Sequence, residues 1–169
     1  MPNWCGNTLT AKGKRSKLLE FKRAVDGGVE QKIDFEKTLP TPAELNIESG
    51  FFGKDTEKQK KMDKLYKANI EKYGHKDWYD WHIARWSTKW NASSPAIILF
   101  NKNTLKYDFD TAWSPPENWL IETSKLFPDI NFTLEYEEGG MGFQGILEVQ
   151  NGEIFQNETY DYTENEEKD

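Results

Sequence analysis

Thiol and imidazole chemistry are scarce in this chain: Cys5 is its one cysteine, and His75 and His82 are its two histidines. A lone cysteine excludes an internal disulfide and fits a reducing compartment. One thiol and two imidazoles at no ligand-like spacing leave little from which to build a zinc site. Nucleophilic catalysis needs a serine or cysteine with a histidine base; Cys5 with His82 is the pair on offer, and a buried, inert Cys5 is favoured over it. Met1-Pro2-Asn3-Trp4 is not expected to open a signal peptide, since no basic region followed by an apolar run is read there, and no apolar window approaches the roughly 20 residues of a membrane helix. A cytoplasmic protein that keeps away from membranes is expected. No Gly-rich loop follows a strand and opens a helix, so P-loop and Rossmann signatures are missing and no cofactor is expected.

A concentrated basic face is also lacking. Net charge is −7, and residues 135–169 hold eleven of the 29 acidic residues against one of the 22 basic ones. The body before residue 135 is mildly basic and the C-terminal part strongly acidic, a poor footprint for duplex DNA. Aromatic residues, in contrast, are plentiful: 14% of the chain, with seven tryptophans. A length of 169 residues is enough for one domain with a core built from large rings.

Along the chain, Asn3–Ala11 reads as a strand and Ser16–Val25 as a helix stopped by Asp26-Gly27-Gly28. A linker with Leu39-Pro40-Thr41-Pro42 follows, then a loop bearing Phe51-Phe52, for which tucking under the body is favoured over exposure. Thr56-Glu57-Lys58-Gln59 is a capping box that opens a helix ending at Gly74, and Asp77–Trp86 predicts a shorter one. Ile97–Phe100 and Leu105–Trp113 form a hairpin, the second strand alternating with period two over nine residues. Ser114-Pro115-Pro116-Glu117 predicts an N-cap serine with proline at the first helical position, the helix running to about Leu126. Strands at Ile130–Tyr136, Phe143–Val149 and Glu153–Tyr160 complete the pattern.

This order predicts an α+β fold: a ferredoxin-like (split βαβ) antiparallel sheet with helices on one face, plus a helical insertion and a C-terminal hairpin. Residues 1–162 are expected to form one domain, with the insertion at about 55–86 and an acidic disordered tail over 163–169.

Met1-Pro2-Asn3-Trp4-Cys5 with Asn7 and Leu9, Trp86-Ser87-Thr88-Lys89-Trp90, Thr111-Ala112-Trp113-Ser114-Pro115-Pro116, Phe127-Pro128 and Tyr136-Glu137-Glu138-Gly139 together resemble the Api92-like or YubB-like proteins. That family is carried by bacteriophages, plasmids and related mobile elements. The resemblance implies a ferredoxin-like domain and a mobile-element setting, which makes the expected cytoplasm that of a host cell, and it carries no catalytic residues to transfer. Ser87 stands where the family usually has glycine, which questions a tight turn there.

The stretch Trp86–Asn91 and its echo at Thr111–Pro116 place costly aromatics beside small polar groups and a lysine. Trp86, Trp90 and Trp113 are candidates for stacking a flat ligand, Arg85 and Lys89 for phosphate, and Asn7, Asn91 and Ser114 for polar reading. The competing reading is that the rings are core. Three functions are weighed. The first is a binding protein that sequesters an anionic nucleotide signal of host antiviral defence. The second is an acidic inhibitor or nucleic-acid mimic acting on a host protein. The third, less favoured, is a nucleotide-cleaving enzyme using His82. A sheet edge or the Phe51-Phe52 loop offers a surface for a homo-oligomer.

Overall fold

A computed structural model describes residues 1–161. The strand β1 (Trp4–Lys12) is central to the sheet, and its alternation sets two faces. Cys5, Asn7, Leu9 and Ala11 point inward and are buried, while Gly6 and Thr8 lie on the opposite side. After it come helix α1 (Arg15–Val25), a long strap with 3₁₀ turns at Phe35–Lys37 and Ala43–Leu45, helices α2 (Glu57–Tyr73) and α3 (Trp78–Trp86), and strands β2 (Ser93–Phe100) and β3 (Thr104–Ala112). Helix α4 (Glu117–Ser124) leads to β4 (Asn131–Glu138), β5 (Phe143–Gln150) and β6 (Glu153–Asp161).

The sheet order is β2-β3-β1-β4-β5-β6, with every neighbouring pair antiparallel. The first four strands in that order, with α1 and α4 as crossovers, are the ferredoxin-like arrangement expected from the sequence. The hairpin β5–β6 widens the sheet at one edge. Helices pack on one face, the one that Leu9, Ala11, Leu105, Tyr107, Phe109, Phe132 and Leu134 make largely apolar. Phe21 of α1 meets Tyr107 and Phe132 edge-on at 6.2 and 5.0 Å. Such T-shaped pairs suit ring quadrupoles and add to the burial of each ring. Cys5 is fully buried, and burial pushes its thiol up to about 12, so it lacks the ionised sulfur that a nucleophile needs.

Among the described residues, the other sheet face carries no helix. Across it, Thr8 lies between Asp108 and Glu135, and Gly6 between Asp110 and Glu137. With Glu158 of β6 these carboxylates line a trough of about 650 Å³. Burial first, and then the charge of Asp108, raise the Asp110 carboxyl above its ordinary value.

Several local expectations hold in detail. Thr56 caps α2 by accepting from the Gln59 amide at 3.1 Å, and Gly74 ends it in the left-handed region at φ 76°. The Phe51-Phe52 loop departs from its expectation: Phe51 is exposed, and only Phe52 is half-buried, beneath the Lys58 ammonium. Ser114 is a correction. Its hydroxyl donates to the Ser87 carbonyl instead of capping α4, so Pro116 takes the cap position with no side-chain bond and the helix starts at Glu117. Strand β2 begins at Ser93, ahead of the apolar run, and meets β3 through two register shifts. The tail expected over 163–169 lies outside the described residues.

Candidate functional site

The strap between α1 and α2 has little regular structure, yet large side chains fasten it to the helical layer. Asp34 and Phe35 are held by Asn91: its Oδ1 accepts from the Phe35 amide at 2.9 Å, and its Nδ2 donates to Asp34 at 2.7 Å. The Trp86 indole donates to the Leu39 carbonyl at 3.0 Å, and the Trp119 indole to the Thr38 hydroxyl at 2.9 Å. Phe35 packs between both indoles, 5.4 and 4.5 Å from their centroids. Each buried polar atom in this joint thus has a partner, which is what makes burial of two tryptophans affordable.

The strap so held forms one wall of a cleft of about 700 Å³. Glu36, Thr41 and Asn46 line it from the strap, Trp78, His82 and Trp86 from α3, and Trp90 and Asn91 from the segment after α3. At its centre the His82 ring stacks on Trp86, with centroids 3.8 Å apart and planes 16° from parallel. His82 Nδ1 faces the Lys89 carbonyl at 2.8 Å, so that nitrogen carries a proton and donates. His82 Nε2 meets the Thr41 hydroxyl at 2.9 Å, and that hydroxyl donates to Glu36. Glu36 also accepts from the Thr41 amide at 2.7 Å and lies 3.8 Å from His82. Burial works to raise the Glu36 carboxyl, but His82 and the two Thr41 donors outweigh it and hold the group below its ordinary value.

The stretch Trp86–Asn91 and the segment around Trp113 do come together. Thr88 donates to the Ala112 carbonyl at 2.8 Å, and Ser114 donates to the Ser87 carbonyl. Ser87 ends α3 in the left-handed region at φ 68°, so the tight turn is present with serine in the position that favours glycine. Lys89 projects among rings: its Nζ is 4.6 Å from the Trp90 centroid, 4.7 Å from Trp113 and 5.9 Å from Tyr79. No carboxylate pairs with it among the described residues.

Of the residues singled out from the sequence, Trp86, Trp90 and Asn91 line the cleft, with Lys89 and Trp113 beside it. Trp86 is almost wholly buried and presents its face through the stacked His82; Trp90 is 39% exposed. Arg85 lies elsewhere, on an exposed surface with Asn118 and Glu122. Asn7 sits inside the sheet-facing core, donating to the Cys5 carbonyl and the Thr111 hydroxyl at 3.0 and 2.9 Å. Ser114 and Asn91 spend their side chains on tertiary joints. Sequence reading left out Glu36, Thr41, Asn46 and Trp78. Proline on both sides of Thr41 was the one available sign, since it marks a segment held in a fixed shape.

A family model described as "Ferredoxin-like domain in Api92-like protein" matches residues 85–169. No curated protein matches the chain. Among solved structures, the crystal structure of a protein api92 from Yersinia pseudotuberculosis is similar with a TM-score of 0.61 at 11% identity, covering 97% of this chain and 100% of that one. At that identity the likeness concerns the fold alone.

Proposed function

This chain belongs to the Api92-like family, and on that footing we propose that it is a binding protein for a flat, anionic ligand of the nucleotide class, held without being cleaved. The observation that carries the proposal is the cleft walled by Trp78, the His82–Trp86 stack and Trp90, with an unpaired lysine beside it. An aromatic wall stacks a base for roughly 1–3 kcal/mol, independently of which base it is. Thr41, Asn46 and Glu36 offer the few polar groups that orient a ligand in such a cleft. Lys89, with no carboxylate partner among the described residues, is a cation available to a phosphate. Both ring nitrogens of His82 are engaged and the Thr41 amide is given to Glu36, which favours binding over catalysis. In the mobile-element setting of the family, the role is sequestration of a nucleotide signal of host antiviral defence: an abundant protein with a tight site lowers the free signal by mass action.

Native mass spectrometry with a panel of cyclic and ADP-ribose-type nucleotides tests this, followed by denaturation and assay of the released molecule. One panel member recovered intact is expected, with Trp78→Ala and Trp90→Ala each weakening it about tenfold, as loss of a stacking wall implies. Binding by no member refutes the proposal. A converted nucleotide refutes sequestration and restores His82 as acid or base.

The acidic trough on the helix-free sheet face favours a second reading, docking of a basic protein surface. Its carboxylates face each other across Gly6 and Thr8, an arrangement that costs self-repulsion in the free protein and is relieved by a cationic partner. An arginine-rich peptide is the probe. Binding that falls steeply with salt and vanishes in Asp108→Asn/Asp110→Asn/Glu137→Gln supports it; binding unchanged in that variant excludes the trough.

A further inference from the structure

Three rings from three separate segments converge on one ammonium. Tyr79 belongs to α3, Trp90 follows it, and Trp113 follows β3. The Lys89 Nζ lies within 4.6–5.9 Å of all three centroids, the range in which a cation is attracted by the ring quadrupole. Trp4 flanks the group, 6.2 Å from Trp90. Trp90 and Trp113 are each about 40% exposed, so the rings are open to solvent on their outer side.

The walls are held by bonds in which the Lys89 side chain takes no part. Trp113 has φ 71°, a conformation that bulky residues avoid, and such positions persist only where the surroundings dictate them. Here the Trp113 amide donates to the Asn3 carbonyl at 2.9 Å, Thr88 anchors Ala112, and Ser114 anchors Ser87. Strain of this kind is common at ligand clamps, and at Trp113 it turns a large indole onto the cation.

The chemistry of the walls selects the ligand. Nζ of Lys89 has three N–H donors and finds no acceptor on the protein among the described residues. A site that meets Nζ with π faces and with no hydrogen bond suits a cation that has no N–H at all. We propose that Tyr79, Trp90 and Trp113 form an aromatic cage for a quaternary ammonium group, and that Lys89 fills it in cis in the free chain. The lysine is a tethered competitor: its effective concentration reaches the millimolar range, so it weakens any incoming cation without blocking it. The cage needs no nucleotide and stands or falls apart from the function proposed above.

The experiment is titration calorimetry of the full chain with tetramethylammonium, with choline and a trimethyllysine peptide as further arms. Thermal unfolding is measured beforehand to establish that each variant folds. Lys89→Ala empties the cage and is expected to bind tetramethylammonium at least tenfold more tightly than the unsubstituted protein. Lys89→Met removes the same charge but leaves a stem among the rings, and is expected to gain much less. In the Lys89→Ala background, Trp113→Phe keeps a ring of weaker quadrupole and is expected to lose affinity severalfold. Tighter binding of choline than of the peptide assigns a small-molecule source, and the reverse order assigns a protein-borne one. No binding by Lys89→Ala overturns the proposal. An equal gain in Lys89→Met overturns the cis-occupancy, because charge removal alone then accounts for it.

Discussion

Replacing Asn91 by alanine separates a structural joint from a ligand-reading residue. In the folded protein the Asn91 amide accepts from the Phe35 and Ala92 amides, both at 2.9 Å, and donates to Asp34. Truncation leaves two backbone N–H groups on buried residues without their acceptor, and removes a charge-assisted bond. An orphaned buried donor costs about 1–3 kcal/mol, and water entering the space left by a half-buried side chain recovers part of that. A net loss of about 3 kcal/mol follows. For a domain of this length each kcal/mol moves the midpoint by about 2–4 °C, so Tm is expected to fall by about 6–12 °C. Thermal unfolding followed by circular dichroism reads this, with the urea midpoint as a check on an unchanged m value. Asn91→Asp gives a second signature. It keeps both accepted bonds but sets a carboxylate against Asp34, so its deficit is largest near neutral pH and shrinks on acidification, as protonation of the introduced carboxyl relieves the like-charge repulsion. A Tm within about 2 °C of the parent in Asn91→Ala would refute the reasoning and return Asn91 to the role of ligand contact.

Gly145→Ala places a methyl group onto the Glu158 carbonyl and the Tyr136 ring, which crosses β5 to bond Thr159 at 2.6 Å, so a loss of about 2–4 kcal/mol in urea unfolding is expected. Glu36 is held below its ordinary value in the folded state, so its contribution is complete above the unfolded value of about 4.3 and is lost as pH falls through the lower folded one. A pH series of Tm is therefore expected to show Glu36→Gln below the parent near pH 7 and level with it at the acid end. Ser87→Gly relieves the left-handed turn but gives up the bond from the Asn118 amide, leaving stability within about 1 kcal/mol of the parent; Ser87→Val keeps the φ with a branched side chain and costs about 2 kcal/mol or more by the same assay.

Most of the sheet was legible because its signals are local. Leu105, Tyr107 and Phe109 alternate with Lys106 and Asp108, and period two survives whatever surrounds it. Thr56 with Gln59 and Gly74 mark α2 at both ends for the same reason. Ser114 misled because the same hydroxyl that could cap a helix found a carbonyl 27 residues away, and no local rule ranks those two partners. The site was half legible. A stretch dense in tryptophan drew attention to Trp86 and Trp90, yet one is core and the other is wall, since they fall on opposite sides of the end of α3. Glu36 and Thr41 meet His82 across about 40 residues that include the whole of α2, a contact that no spacing encodes.

The central position of β1 has a consequence for how the molecule is made. Of the six strands it leaves the ribosome first, but its two neighbours are β3 and β4, which begin some 90 and 120 residues later. At about 5–20 residues per second, β1 spends several seconds or more with both hydrogen-bonding edges open and with Leu9 and Ala11 unsheltered. Helices α1, α2 and α3 can begin to coil during that wait, but none can close the sheet. The middle strand is thus the earliest of the described strands to be synthesised and the one that waits longest for a partner, and a nascent chain of this fold is most in need of a chaperone during that wait.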